Sequence, residues 1–196
     1  LDGDRILFTM IDVTGHGVSA ALLVNRYHAE FERLGREGKR PGELMRSLNT
    51  FIMDDFKGTD MYVSGFCGLV DSKSGEMFFS NYGHPPPLLY LSEEEKVIKL
   101  EANSSFLGIP SLDEEKGERR VPVAGKDRLL LYTDGLTEAR NGSGDQYGLE
   151  RLEDFLLRNA RKTPLRFNTL LISDVNMYRE GRSDDDICIM TIGLKQ

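Results

Sequence analysis

Tryptophan is missing from this chain, cysteine occurs only at Cys67 and Cys188, and no apolar run approaches the ~20 residues that cross a bilayer. The last absence leaves no membrane-spanning helix to expect, and the opening residues carry no signal-peptide pattern. Both cysteines sit inside apolar stretches, so two buried thiols are expected rather than a disulfide, which suits a reducing compartment. The expected location is therefore cytoplasmic. A surplus of positive charge is missing too, since 25 basic side chains face 32 acidic ones for a net charge of −7. Without a basic face, nucleic acid is not an expected partner. Catalytic signatures are lacking as well: a glycine-rich phosphate loop ending in Lys-Ser/Thr, cysteine pairs at zinc spacing, and a nucleophile motif around Ser19 or Ser64. Covalent catalysis has nothing to point to.

What is present suffices for one compact domain over residues 1–196, with 39% hydrophobic residues to build a core. The start at Leu1 rather than Met reads as a fragment, leaving room in the parent protein for a membrane anchor or sensor segment. Residues 5–11 read as a buried strand, and the Asp2-Gly3 turn signal ahead of them implies an extended segment before Leu1. Residues 19–34 set Ala20, Leu23, Tyr27, Phe31 and Leu34 at helical spacing before Gly35. Residues 41–56 repeat the pattern with Leu44, Leu48, Phe51, Ile52 and Phe56. Strands are predicted over 61–70 and 76–81, joined by a compact turn, then over 88–91, 97–100, 119–123 and 128–132, with an exposed loop at 93–96. Helices follow at 149–159 and about 165–178, and a closing strand runs from the acid triplet at 184–186 to Leu194. The order is strand, two helices, a meander of strands, two helices, strand. It predicts two sheets packed together and covered by helices.

Acidic residues recur at strand ends. Asp12 leads into Thr14-Gly15-His16-Gly17, Asp134 stands in Tyr132-Thr133-Asp134-Gly135 after three leucines, and Asp184-Asp185-Asp186 precedes the last strand. Carboxylates far apart in sequence, each tied to a buried strand, are an economical way to hold hard divalent cations, which take oxygen ligands. Asp12, Asp134 and Asp185 would supply three, with Asp186 as a further ligand or an orienting neighbour. Any one of them alone is more simply an ordinary turn acid; their coincidence favours a metal. In Thr14-Gly15-His16-Gly17 the glycines permit a tight strand-to-helix turn whose helix start favours an anion or a metal-bound oxygen. His16 is either a proton-transfer group or a structural imidazole held in that turn. Asn81-Tyr82-Gly83-His84-Pro85-Pro86 is a second glycine-histidine turn, more simply read as a rigid loop fixed by its prolines.

Together these residues resemble the bacterial PP2C-like (PPM) serine/threonine phosphatases of the sporulation stage II protein E and stress-sigma-regulator type. The strings Asp-Val-Ser/Thr-Gly-His-Gly, Asn-Ala-Gly-His-Pro-Pro, Tyr-Thr-Asp-Gly and Asp-Asp-Ile/Met-Thr appear here at 12–17, 81–86, 132–135 and 185–188. Residues 105–108, 137–141 and 147–148 also look like the family. The resemblance implies an α+β fold, a four-layer α/β/β/α sandwich with two central antiparallel sheets holding a binuclear Mn²⁺ or Mg²⁺ centre at one edge. Matched motif by motif, Asp12 would be shared between both metals, with the Val13 carbonyl completing a shell, while Asp134 and Asp185 would hold the second metal. A water bridging the metals would attack phosphoserine or phosphothreonine in line, without a phosphoenzyme. The implied partners are a phosphorylated signalling protein, such as an anti-sigma-factor antagonist, an upstream sensor domain, and a second copy in a homodimer.

Two departures from the family stand out. Its usual Gly-Gly-Asp-x-x-Asp strand, whose first Asp is a ligand, lies ahead of where this chain begins, and Gly3-Asp4 is no convincing substitute. A domain truncated in this way would lack an N-terminal strand and bind at least one metal weakly. Cys188 stands where the family usually has Thr, with a small expected effect. The rival reading is a catalytically inactive or truncated domain that only binds its partner; a hydrolase of small phosphoesters is a distant third. The helices at 19–34 and 41–56 are the expected regulatory or dimer surface, from the apolar excess of Met45, Ile52 and Met53.

Overall fold

The computed structural model of the chain describes residues 4–15, 17–56, 61–110, 117–180 and 185–194. They divide into two compact units, Leu1–His84 with Ala102–Pro122 and Pro85–Glu101 with Val123–Gln196. Asp2-Gly3 and His16 lie outside the described residues, as does Asp184.

In the first unit β1 (Arg5–Val13) runs antiparallel to β2 (Val63–Asp71), pairing residue by residue from Arg5↔Asp71 to Val13↔Val63. β3 (Glu76–Tyr82) and β6 (Arg119–Pro122) complete a sheet of order β1-β2-β3-β6. The β2–β3 turn is tight because Asp71 Oδ1 accepts from the backbone N–H groups of Lys73 and Ser74, and Gly75 takes the positive φ of 65°. Two helices, α1 (Val18–Arg36) and α2 (Pro41–Asp55), bury Leu23, Tyr27, Leu34, Leu44, Met45, Leu48 and Ile52 with Val63, Cys67, Tyr82 and Leu107. Each side chain of that size contributes about 1.5–3 kcal/mol when fully buried. The Tyr27 hydroxyl lies 2.8 Å from Thr9 Oγ1, and burial pushes the pKa of its phenol up. Phe66 stacks on Phe8 and Phe79 at centroid distances of 6.2 and 5.6 Å, with glycine at position 68 where a Cβ would strike the Phe8 ring.

The second unit carries β4 (Leu88–Leu91), β5 (Lys96–Lys99), β7 (Arg128–Tyr132) and β8 (Ile189–Gly193) in antiparallel order β5-β4-β7-β8. Every residue of β7 is buried, which explains its uninterrupted leucine run: a strand covered on both faces has no reason to alternate. Helices α4 (Leu149–Asn159) and α5 (Pro164–Tyr178) set Leu152, Phe155, Leu156, Phe167, Leu171 and Val175 against Leu88, Tyr90, Leu130 and Tyr132. Thr163 caps α5 by accepting from Arg166 N–H, and Pro164 occupies the first turn.

The architecture is the expected α+β arrangement of two antiparallel four-stranded sheets with helices. Several local expectations are corrected. Cys188 is exposed, not buried, whereas Cys67 is buried. β8 begins at Ile189 rather than directly after the acids, and Lys96, expected in a loop, opens β5. A short helix α3 (Asp134–Thr137) follows β7, where the sequence pattern predicts no element. Met45 and Ile52 are core residues, so they provide no surface excess on α2. The exposed apolar side chains lie instead on α1, with Val18 at 78%, Leu22 at 55% and Val24 at 45% exposure.

Candidate active site

The best-defined part of the site lies in the second unit, where β7 and β8 end side by side. Tyr132 pairs with Ile189, and there the regular ladder stops. Beyond it Thr133 takes over. Its backbone N–H donates to the Cys188 carbonyl at 3.1 Å, while its Oγ1 accepts from Cys188 N–H at 3.0 Å and lies 3.3 Å from the Asp186 carbonyl, to which it donates. One hydroxyl thus substitutes for the next rung and fastens the acid segment to the end of β7. Extended Thr133 is also the N-cap of α3, so Asp134 is the first helical residue, and its carbonyl accepts from Thr137 Oγ1 and Glu138 N–H at 3.1 and 2.8 Å.

Gly135 allows the close approach. An ideal Cβ there would lie 2.5 Å from the Asp186 carbonyl oxygen and 3.3 Å from Asp185 Cβ. Asp134 and Asp185, 51 positions apart in sequence, are therefore neighbours at one end of the sheet, both exposed to solvent. Asp185 Oδ1 accepts from the Asp186 N–H at 2.8 Å, which orients the carboxylate. Sequence reasoning does not single out Thr133 or Gly135 for this role; their signal is their position flanking Asp134 after an apolar strand.

Asp12 and Val13 belong to the first unit, at the end of β1 opposite Ser64 and Val63. Just beyond, Thr14 Oγ1 donates to the Tyr62 carbonyl at 2.9 Å, and the Thr14 and Tyr62 backbones bond as well. The turn then needs its glycines for backbone reasons: Gly15 and Gly17 have φ of 92° and 89°, although a Cβ at either would meet no heavy atom within 4 Å. Gly17 is the N-cap of α1. Asp12 is exposed.

The second glycine-histidine turn is structural. Asn81 Oδ1 accepts from His84 N–H at 2.9 Å, Asn81 Nδ2 donates to the His84 carbonyl at 3.1 Å, and Asn103 Oδ1 accepts from Asn81 N–H at 2.6 Å. His84 is buried, with Nδ1 3.1 Å from Ser64 Oγ. Because Ser64 faces Asp12 across β1–β2, this turn braces the strand that supports the acid. Asn49 on α2 similarly holds the loop at 108–109 through Gly108 N–H and the Ile109 carbonyl. Sequence reasoning finds Asn81 in its turn but misses the buried Asn103 and Asn49, although Asn49 beside Leu48 and Ile52 is a polar residue at the edge of an apolar helix face.

Among the described residues no group of three or more His, Cys, Asp or Glu side chains gathers to hold a metal. The Asp134–Asp185 pair nevertheless has the right chemistry for one. Mg²⁺ and similar hard cations commonly take one or two carboxylates and keep several waters, and both acids here are solvent-exposed.

A profile of the Stage II sporulation protein E (SpoIIE) family matches residues 2–195, the whole set of motif-bearing segments. The chain belongs to the SpoIIE family of PP2C-type phosphatases. Its likeness to the SiaA-PP2C domain of Pseudomonas aeruginosa covers 100% of this chain and 78% of that one, with a TM-score of 0.84 at 21% identity. The fold is thus the PP2C-like sandwich. The SpoIIE phosphatase domain with a fragment of its regulatory domain, from Bacillus subtilis, gives a TM-score of 0.77 at 20% identity over 97% of this chain and 55% of that one. In sequence, the chain is 25% identical to the phosphoserine phosphatase RsbU of Bacillus subtilis over 164 residues, 82% of this chain and 48% of RsbU. It is 28% identical to the phosphoserine phosphatase RsbP of the same organism, over 70% of this chain and 34% of RsbP. The chain therefore spans less than half the length of these relatives. Among the described residues no helix is long and apolar enough to cross a membrane.

Proposed function

We propose that this SpoIIE-family domain, read as residues 1–196, is a metal-dependent protein phosphatase acting on phosphoserine or phosphothreonine of a signalling protein. The observation that carries this reading is the Thr133 clamp, which sets Asp134 beside Asp185. Asp12, the Val13 carbonyl, Asp134 and Asp185 would hold a binuclear Mn²⁺ or Mg²⁺ centre. When bound, such a centre supplies an activated water and positive charge to offset that of the phosphoryl group. The chain's own part is to hold these acids at strand ends, with Asp185 oriented by the Asp186 N–H. The phosphoserine phosphatases RsbU and RsbP support the substrate class, and the family resemblance makes a phosphorylated anti-sigma-factor antagonist the first substrate to test.

The test is phosphate release from a phosphoserine protein with added Mn²⁺, for this chain and for the natural protein extended upstream. Release that stops on chelation and returns with Mn²⁺ is the expected result. Release insensitive to chelation would overturn the metal assignment. A second reading rests on the acids forming a pair rather than a larger cluster among the described residues. On that reading the domain is a partner-binding module, and both proteins would be silent with a substrate that an active relative accepts. In either case the bare Val18 and Leu22 on α1 support a regulatory or homodimer contact there, with an upstream sensor as its natural controller. Sedimentation of the natural protein is expected to show a dimer that Leu22→Glu weakens by about tenfold or more, in keeping with loss of a buried apolar anchor. A monomer throughout the micromolar range would exclude that contact.

A further inference from the structure

At the end of β7 away from Asp134, the second unit forms a pocket of about 890 Å³, lined in part by Tyr90, Glu93, Lys126, Arg128, Arg161 and Pro164. That volume falls within the range of small-molecule sites. Roughly 13 Å of strand, at ~3.3 Å per residue, separates Arg128 from Tyr132, so the pocket is distinct from the acid loops.

Arg128 is the anomaly. It is only 5% exposed, yet its Nε and Nη1 have no hydrogen-bond partner. Its Nη2 donates to the Lys162 carbonyl, and its guanidinium carbon sits 5.0 Å from the centroid of the Phe167 ring. No carboxylate pairs with it among the described residues. The neighbouring Asp127 carboxylate is directed to backbone instead, with Oδ1 accepting from Ser92 N–H and Oδ2 from Ala124 N–H, each at 2.8 Å. Burial accordingly pushes the pKa of Arg128 down. A guanidinium taken from water without a counter-ion is expensive, and buried arginines are ordinarily paired.

The surroundings favour an anion. Lys126 lines the same pocket on an exposed turn and makes no ion pair among the described residues. Arg161 adds a third cation, paired with Glu95 at 2.5 Å. Pro164 brings in the N-terminal turn of the 15-residue helix α5, the positive end of its dipole. Against these stand Glu93 and the buried Asp127 carboxylate, which lines the same pocket and is held by two backbone N–H groups.

We propose that this pocket binds an oxyanion group of a small molecule, a phosphoryl or carboxylate group, with Arg128 as its buried counter-ion and Lys126 as a second cation. The site lies outside the acid loops and needs no metal, so it stands or falls independently of the phosphatase reading.

The test uses the chain stripped of metal by EDTA and titrated with inorganic phosphate and, separately, with citrate, against chloride at matched ionic strength. Amide NMR is expected to show saturable shifts at residues 124–128, 161–166 and 193–194. The melting temperature should rise by about 3–5 °C at ten times the Kd. Arg128→Met and Lys126→Glu should each weaken binding by about tenfold or more, the scale of losing one charge-assisted contact. Lys126→Glu, on its exposed turn, keeps the result decisive if Arg128→Met loses its fold. Response to phosphate alone would identify a phosphoryl ligand, and response to citrate alone a carboxylate. Shifts confined to residues 134–138 and 185–188, shifts reproduced by chloride, no shifts at all, or binding unchanged in Lys126→Glu would overturn the proposal.

Discussion

Asp134→Asn is expected to lower Mn²⁺-dependent phosphate release by at least about a thousandfold while moving the melting temperature by no more than about 2 °C. The asymmetry follows from where the side chain sits. Asp134 is exposed at the first position of a four-residue helix, and the bonds that tie it into that helix run through its backbone carbonyl, which the substitution keeps. Surface changes of this kind usually alter stability by less than ~0.5 kcal/mol. A ligand to a catalytic metal, by contrast, is worth several kcal/mol in the transition state, and each ~1.4 kcal/mol is a factor of ten. Activity within tenfold of the parent would remove Asp134 from the proposed centre. Loss of activity accompanied by a large drop in melting temperature would reassign it to structure.

Gly135→Ala should impair both properties together. Its methyl group would meet the Asp186 carbonyl oxygen at 2.5 Å, a backbone atom that cannot swing aside like the tip of a side chain. The Asp185–Asp186 segment must then move away from β7, straining the bonds that Thr133 makes to Cys188 and Asp186. Overpacking of this kind typically costs about 1–3 kcal/mol, which lowers the melting temperature by roughly 3–10 °C at this size. Because the displaced segment carries Asp185, phosphate release should fall by about a hundredfold, as misplacement by about 1 Å does elsewhere. Thr133→Ser, which keeps the hydroxyl, is the matched control and should retain most activity. An alanine at 135 that left both activity and melting temperature unchanged would show that the two acids do not depend on this contact.

How far the sequence discloses this arrangement depends on the kind of interaction. β7 at Arg128–Tyr132 and α4 at Leu149–Asn159 appear as expected, because a continuous leucine run and a 3.6-residue apolar period are properties of the segment itself. The acids at 134 and 185 are legible as motif positions. Their adjacency is implied by the family resemblance alone and not by the residues themselves, since it depends on the register of β7 against β8 and on a hydroxyl replacing a ladder rung. The same replacement explains why Ile187 and Cys188, apolar enough to read as strand, fall outside β8 and why Cys188 is exposed. Met45 and Ile52 mislead in the other direction: α2 buries more than one stripe because α1 and β2 both contribute to its core cluster. Arg128 gives no sequence signal, for a charge at the start of a strand is normally solvated, and only the fold reveals that it is enclosed.

The docking of β8 on β7 also has a consequence for the order of events at the ribosome. Asp134 emerges early with β7, but its neighbour Asp185 follows 51 residues later, on the segment fastened by Thr133. At about 5–20 residues per second, a nascent chain exists for roughly 3–10 s with the first acid made and the second not yet synthesised. During that interval the β8-facing edge of β7 is open, and Asp134 stands without its neighbour Asp185. Translation itself thus delays assembly of the acid pair until the last strand can close the sheet.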